Sequence, residues 1–187
     1  IHFVDIVPEL ITNVESKLQQ FYQNAGSHWK THCIDVAKLP LTEYQGSHLI
    51  IIAGVGGDLM IQFINNICQQ YPELQIDFLL CPVNQQYTLR KTLITRECSL
   101  KNEALVADND RYYEVILVST KTINSSEKIK PINPIGHYIW QTENAQQAVV
   151  VKKYLEKTLN HYKRIQQGGS ENVNDIISAY SKLIVKL

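Results

Sequence analysis

Apolar residues follow two rhythms along this chain, short continuous runs and helical spacings, and their alternation predicts an α/β fold. "IHFVDI" (1–6), "THCIDV" (31–36), "HLIIIAGV" (48–55) and "LQIDFLLCP" (74–82) are strand-like. "EALVAD" and "YYEVILVS" follow as two strands close enough to pair as an antiparallel hairpin. Between the strands, Pro8 opens a helix with apolar positions at Leu10, Val14, Leu18 and Phe21. Met60, Phe63, Ile64 and Ile67 mark a second helix, and a third runs from Tyr87 to Thr95. Continuously apolar strands that alternate with helices predict a mostly parallel sheet buried on both faces.

The end of the chain differs in kind. Ala148, Val151, Leu155, Leu159, Tyr162 and Ile165 lie on one helical stripe, "QGGS" (167–170) interrupts it, and Val173, Ile176, Tyr180, Leu183 and Leu187 form another. The pattern predicts a sheet domain over 1–122, a linker rich in Asn, Ser, Lys and Pro over 123–141, and a C-terminal helical hairpin over 142–187.

Charge sharpens that division. Residues 1–141 hold 11 Lys/Arg against 14 Asp/Glu, a net of −3, and residues 142–187 hold 7 against 4, a net of +3. A basic tail fits contact with nucleic acid, or a solvated helix face. No run of apolar residues is long enough for a membrane helix, and Ile1 opens no signal peptide. Cys33, Cys68, Cys81 and Cys98 show no CxxC pair and read as small buried hydrophobes in a reducing cytoplasm. The six histidines have no metal-ligand spacing, and GxGxxG, GxxxxGK[ST] and GxSxG are all absent, so no metal is expected.

Candidate chemistry gathers at strand ends, where open parallel sheets bind ligands. Asp5, Asp35 and the bend "AGVGG" (53–57) end three strand-like runs. One strand-end carboxylate can accept ribose hydroxyls and the next an adenine amino group, while Gly54, Gly56 and Gly57 let a ligand lie against backbone. The same residues also serve as turns, caps and close packing, and Asp58 could cap the helix that follows the glycines.

"HFVDIVPELITNVESKLQQF", "IIIAGVGGDLMIQFI", "LLCPVNQQYTLRKTLI" and "YYEVILV" resemble, in order and spacing, the TrmK family of bacterial tRNA (adenine-22 N1)-methyltransferases. The resemblance runs over nearly the whole chain. It implies a Rossmann-like class I methyltransferase sheet that binds S-adenosylmethionine (SAM), followed by a coiled-coil-like helical segment that recognises tRNA in the cytoplasm. On this resemblance Asp5 holds the SAM ribose and Ile6 packs on the adenine, Asp35 and Val36 flank the ring, and Ala53, Gly54, Val55, Gly56 and Gly57 line the floor. Tyr113 and Glu114 fall on a strand where a structural role is implied. Lys152, Lys153, Lys157, Lys163 and Arg164 would meet tRNA phosphates.

Two departures bear on the site. The family's "QPN" is replaced by Cys81, Pro82 and Val83, leaving Pro82 and Asn84 as candidates to receive the target base. The family's first strand and its glycine-bearing SAM loop are not among these residues, which implies a fragment that binds SAM poorly alone. Competing readings are a non-catalytic Rossmann-like RNA-binding or scaffolding protein, a SAM methyltransferase with another substrate, and a nucleotide-dependent oxidoreductase.

Overall fold

The computed structural model describes residues 1–22, 28–120, 130–142, 144–169 and 172–183. Among the described residues six strands and five α-helices alternate as expected: β1 (His2–Asp5), α1 (Pro8–Tyr22), β2 (Lys30–Cys33), β3 (His48–Ala53), α2 (Gly57–Gln70), β4 (Ile76–Cys81), α3 (Gln86–Thr95), β5 (Ser99–Asp108), β6 (Arg111–Ser119), α4 (Ala145–Gly168) and α5 (Asn174–Ser181). They fall into two compact units, one of residues 1–46 with 63–73 and one of residues 47–62 with 74–187.

In the first unit β1 and β2 form a parallel pair in which Asp5 lies opposite Cys33. Pro8 begins α1, where its missing N–H has no helical partner to lose. The second strand is shorter than its apolar run predicts. Asp35 accepts a hydrogen bond from the Ala37 amide (2.9 Å) and caps a 3-10 turn over 36–38, so Val36 belongs to the turn rather than to the strand. Tyr71 closes this unit by donating its hydroxyl to Leu39 O at 2.6 Å.

In the second unit the strands are ordered β3, β4, β6, β5, with β3 parallel to β4 and the hairpin β5–β6 antiparallel at the far edge. Ile76, Phe78 and Leu80 of β4 alternate with half-buried neighbours, and Ile116 and Val118 of β6 continue the same apolar layer. The expectation of burial on both faces does not hold for β3. Among the described residues that strand pairs on one side only, and Leu49 and Ile51 stay 56% and 64% exposed. The cysteines also depart from expectation: Cys98 is buried, but Cys68 and Cys81 are half-buried and Cys33, the last residue of a short strand, is exposed.

Helices α4 and α5 belong to the same unit as this sheet. Trp140 stacks on Tyr154, Tyr162 stacks on Tyr180, and Leu105, Val151 and Val173 complete the cluster. Of the segment read as a linker, 123–129 lies outside the described residues, as do Ser170 and Leu187. Its later part carries Ile132, Ile139 and Trp140, all buried, and so anchors the helices rather than merely connecting them.

A buried ion cluster joins these parts. Arg90 of α3 donates through Nη1 to Glu103 of β5 (2.6 Å) and through Nε to Glu114 of β6 (2.8 Å), with all three side chains fully buried. One guanidinium cannot balance two carboxylates. The remaining carboxylate oxygens are met by the Tyr154 hydroxyl, 2.7 Å from Glu114 Oε1, and by the amides of His137 and Tyr138, each 2.6 Å from Glu103 Oε1. Burial pushes the Glu103 carboxyl up, but the Arg90 charge and the two amides outweigh it and hold the group below its ordinary value. Burial and the Glu114 charge push the Tyr154 phenol well up, so it remains a donor.

Glu103 contributes stability that is complete above the ordinary carboxylate pKa of about 4 and is lost as pH falls through its lower folded value. Arg90→Met leaves two buried carboxylates without their cation and should cost about 3–5 kcal/mol at pH 7. In that variant desolvation raises the folded carboxyl pKa, so stability should increase as pH drops from 7 to 5. Urea unfolding at both values checks this, and an unchanged pH slope would contradict the cluster's role.

Candidate functional site

Parallel pairing puts the C-terminal ends of β3 and β4 side by side, with Ala53 opposite Cys81. Beyond β3 the chain bends at Gly54, whose φ of +78° lies in the left-handed region that disfavours side chains. A Cβ there would meet no atom within 4 Å, so the bend faces open space, and Ala53 and Gly54 are exposed.

Gly56 and Gly57 have a different reason for being glycine. A Cβ on Gly56 would come within 2.8 Å of Asn84 Oδ1, and one on Gly57 within 2.9 Å of the Gln85 carbonyl oxygen. The neighbouring loop, 82–85, occupies that space: its backbone stands against Gly57 and the Asn84 side chain against Gly56, so the protein's own second loop accounts for both residues without a ligand.

Hydrogen bonds tie the two loops together. The Val83 amide donates to Val55 O (3.0 Å), and the Gly57 amide lies 3.2 Å from Asn84 O and 3.3 Å from Asn84 Oδ1. The Asp58 amide donates to Gln85 Oε1 (3.1 Å), while Gln85 Nε2 donates back to Asp58 Oδ2 (2.5 Å). Asp58 therefore does not spend its carboxylate on capping α2, as its position suggests. Gln85 holds this contact from a left-handed backbone, φ +57°, unusual for a residue with a side chain.

Asn84 turns its carbonyl oxygen toward Gly57, and no described residue pairs with its exposed amide nitrogen. Pro82 is buried beneath it, and Val83 is 53% exposed. Burial pushes the Cys81 thiol up, which keeps it protonated and weakly nucleophilic at neutral pH.

In the first unit Asp5 and Asp35 follow the same end of the β1–β2 pair. Each carboxylate uses Oδ1 for a local turn, Asp5 on the Val7 amide and Asp35 on the Ala37 amide, both at 2.9 Å. Among the described residues neither has a partner at Oδ2. Ile6, next to Asp5, is 69% exposed, and Val36 is half-buried.

The basic residues of α4 divide into two groups. Lys153, Lys157 and Arg164 line a groove of about 380 Å³ together with Asp110 and Tyr112 of the hairpin and with Glu156 and Asn160. Lys157 lies over the Tyr112 ring, 5.3 Å from its centroid. None of the three cations forms an ion pair among the described residues. Lys152 and Lys163 are exposed but do not line the groove. Sequence reasoning missed Tyr112, Asp110 and Gln85, because hairpin geometry and a positive φ leave no periodic trace. Glu114, by contrast, takes the structural place implied for it.

Glycine bend, paired strand-end loops and parallel core define a Rossmann-like α/β protein. The chain belongs to the methyltransferase-domain family, whose pattern matches residues 1–116. No curated protein matches it significantly in sequence. Among solved structures it is similar to M. capricolum TrmK in complex with S-adenosyl-homocysteine, the natural cofactor product, with a TM-score of 0.63, 16% identity, and coverage of 96% of this chain and 75% of that one. It is similar to Sp1610 of Streptococcus pneumoniae, a candidate tRNA (m1A22) methyltransferase, with a TM-score of 0.68, 17% identity, and coverage of 97% and 80%. The B. subtilis m1A22 tRNA methyltransferase TrmK gives 0.57, 16%, and coverage of 96% and 76%. At such identities what is shared is the fold.

The packing argument for the glycines has a direct check. Gly57→Ala forces Cβ against the backbone carbonyls of Asn84 and Gln85, which cannot rotate away, and should destabilise the protein by about 1–3 kcal/mol. Chemical denaturation measures it. A Gly57→Ala protein as stable as the parent would show that the loops do not pack as described.

Proposed function

We propose that this protein transfers a methyl group from SAM to N1 of an adenine in tRNA. The observation that carries the reading is that the similarity to tRNA methyltransferase structures extends over 96% of the chain, and so takes in α4 and α5 as well as the sheet. Such a protein acts in the cytoplasm, here of a bacterium.

The residues fit the cofactor chemically. Among the described residues Asp5 keeps a carboxylate oxygen without a partner for the ribose hydroxyls, and Asp35 keeps one for the adenine amino group. In the first unit Ile6 and Val36 present apolar surface suited to an adenine ring; in the second, Ala53 and the open bend at Gly54 present bare backbone. Val55, Gly56 and Gly57 support that bend from the side facing the second loop.

When bound, SAM supplies a sulfonium methyl group that the adenine N1 lone pair takes up as the sulfur leaves with the carbon–sulfur electrons. N1 already has its lone pair, so no residue needs to remove a proton first. The chain's task is orientation and exclusion of water. At the end of β4, Asn84 receives the target base next to the buried Pro82, its amide nitrogen, unpaired among the described residues, available as a donor to a ring acceptor. An adenine within folded tRNA must be unstacked to reach them.

Holding tRNA requires cations that are not already paired. Lys153, Lys157 and Arg164 satisfy this from one groove, while Lys152 and Lys163 add positive charge on another flank of α4.

The test is transfer of labelled methyl from SAM to unmodified tRNA by the natural protein, with the product base identified by mass; N1-methyladenine is expected. Binding of SAM without transfer to any tRNA would mean another acceptor. Charge reversal at Lys153, Lys157 and Arg164 together should weaken tRNA binding and flatten the slope of log K against log salt by about 2–3, leaving SAM affinity unchanged. Reversal of Lys152 and Lys163 should have the smaller effect.

A further inference from the structure

We propose that Gln85 is a positioning residue for methyl transfer, acting through a two-point clasp on Asp58 that locks the two strand-end loops into one surface. The proposal rests on the methyltransferase reading but concerns a residue that this reading does not use. Gln85 touches neither the Gly54 bend nor the exposed Asn84 amide directly. It fixes what does.

Three observations converge on it. First, the side-chain amide of Gln85 uses both ends on one residue: Oε1 accepts from the Asp58 amide and Nε2 donates to the Asp58 carboxylate. This reciprocal pair also fixes which way the amide points. Second, Gln85 adopts φ +57° immediately before α3, a conformation that costs a non-glycine residue free energy and persists where the surroundings enforce it. A residue chosen for the turn alone would be glycine or asparagine, neither of which carries a side chain as long as glutamine. Third, the clasp sits directly beside the Asn84–Gly57 hydrogen bonds, so loss of the Asp58 anchor frees the loop that sets the direction of the Asn84 amide.

The chemistry explains why such a clasp matters. An in-line displacement without a general base depends on distance and angle, and displacements of the order of an ångström cost large factors in rate. Two loops that moved independently would let the bend at Gly54 drift relative to the end of β4. Because the anchoring groups are an amide and a carboxylate, the interface tolerates one specific exchange of donors and acceptors.

That exchange gives the test. Gln85→Glu keeps size and an acceptor for the Asp58 amide, but removes the donor and sets two carboxylates against each other. Asp58→Asn combined with Gln85→Glu restores a donor opposite an acceptor. In the natural protein with SAM and unmodified tRNA, Gln85→Glu should lower kcat at least tenfold, with KM for tRNA within about threefold. The double variant should recover most of the loss, and their melting temperatures should differ far less than their rates. Gln85→Gly, which relieves the backbone but has no clasp, should also lose kcat while remaining folded.

Amide hydrogen exchange supplies a readout independent of activity. Residues 54–58 and 82–86 should exchange faster together in Gln85→Glu and slow again in the double variant. A parent protein that transfers no methyl would remove the reading beneath the proposal, whereas an active parent with Gln85→Glu at parental kcat, or a double variant no better than the single, would overturn the proposal itself.

Discussion

Parallel pairing of β3 with β4 is the constraint from which the rest of the second unit follows. Two parallel strands in register leave their sheet at the same end, so the loops that continue them must share one small volume. The chain fits both because Gly57 brings no side chain against the second loop's backbone and Gly56 none against the Asn84 side chain, and it uses the closeness by running backbone and amide hydrogen bonds from one loop to the other. Had β4 run the other way, Asn84 would lie at the opposite end of the sheet from the bend at Gly54. A single topological choice therefore brings the bare backbone and the exposed amide to one place.

The ion cluster does the corresponding work for the helices. A guanidinium between two carboxylates gains little net stability over a well-packed apolar core, since desolvation opposes the attraction. What it provides is direction. Arg90 comes from α3, Glu103 from β5, Glu114 from β6, Tyr154 from α4, and the amides of 137 and 138 from the segment before it, so hydrogen-bond geometry fixes five parts of the chain at one point. With Tyr154 fixed inward, Lys153, Lys157 and Arg164 are held against the hairpin instead of sampling solvent on a free arm. Arg90, Glu103 and Tyr154, whose acidities are shifted, all belong to this joint. Perturbed acidity, which often marks a catalytic centre, here marks an attachment.

Periodicity made the elements legible. Every strand and helix expected from apolar spacing is present among the described residues, because a buried face must repeat with the period of its own backbone. Strand ends are less legible. The run through Val36 looks extended, yet Asp35 ends it by capping a turn, a local side-chain bond that hydropathy does not register. The later part of the supposed linker reads as polar and Pro-rich, yet Trp140 within it is a principal anchor of the helices, and one buried aromatic outweighs the composition around it. Partnerships between distant residues, such as Gln85 with Asp58 or Lys157 with Tyr112, have no spacing to reveal them.

Glycine shows most clearly what a one-dimensional pattern can carry. "AGVGG" marks a place where the backbone must stay bare, and that inference holds at all three glycines. The reason differs between them. At Gly56 and Gly57 it is the close approach of the protein's own second loop, and at Gly54 it is a backbone angle that side chains avoid, facing open space. The motif therefore combines a joint and an opening, with the joint holding the opening in register with the neighbouring strand end. For the methyl transfer proposed above, which needs no proton removed, that geometric service is the larger part of what a protein can contribute.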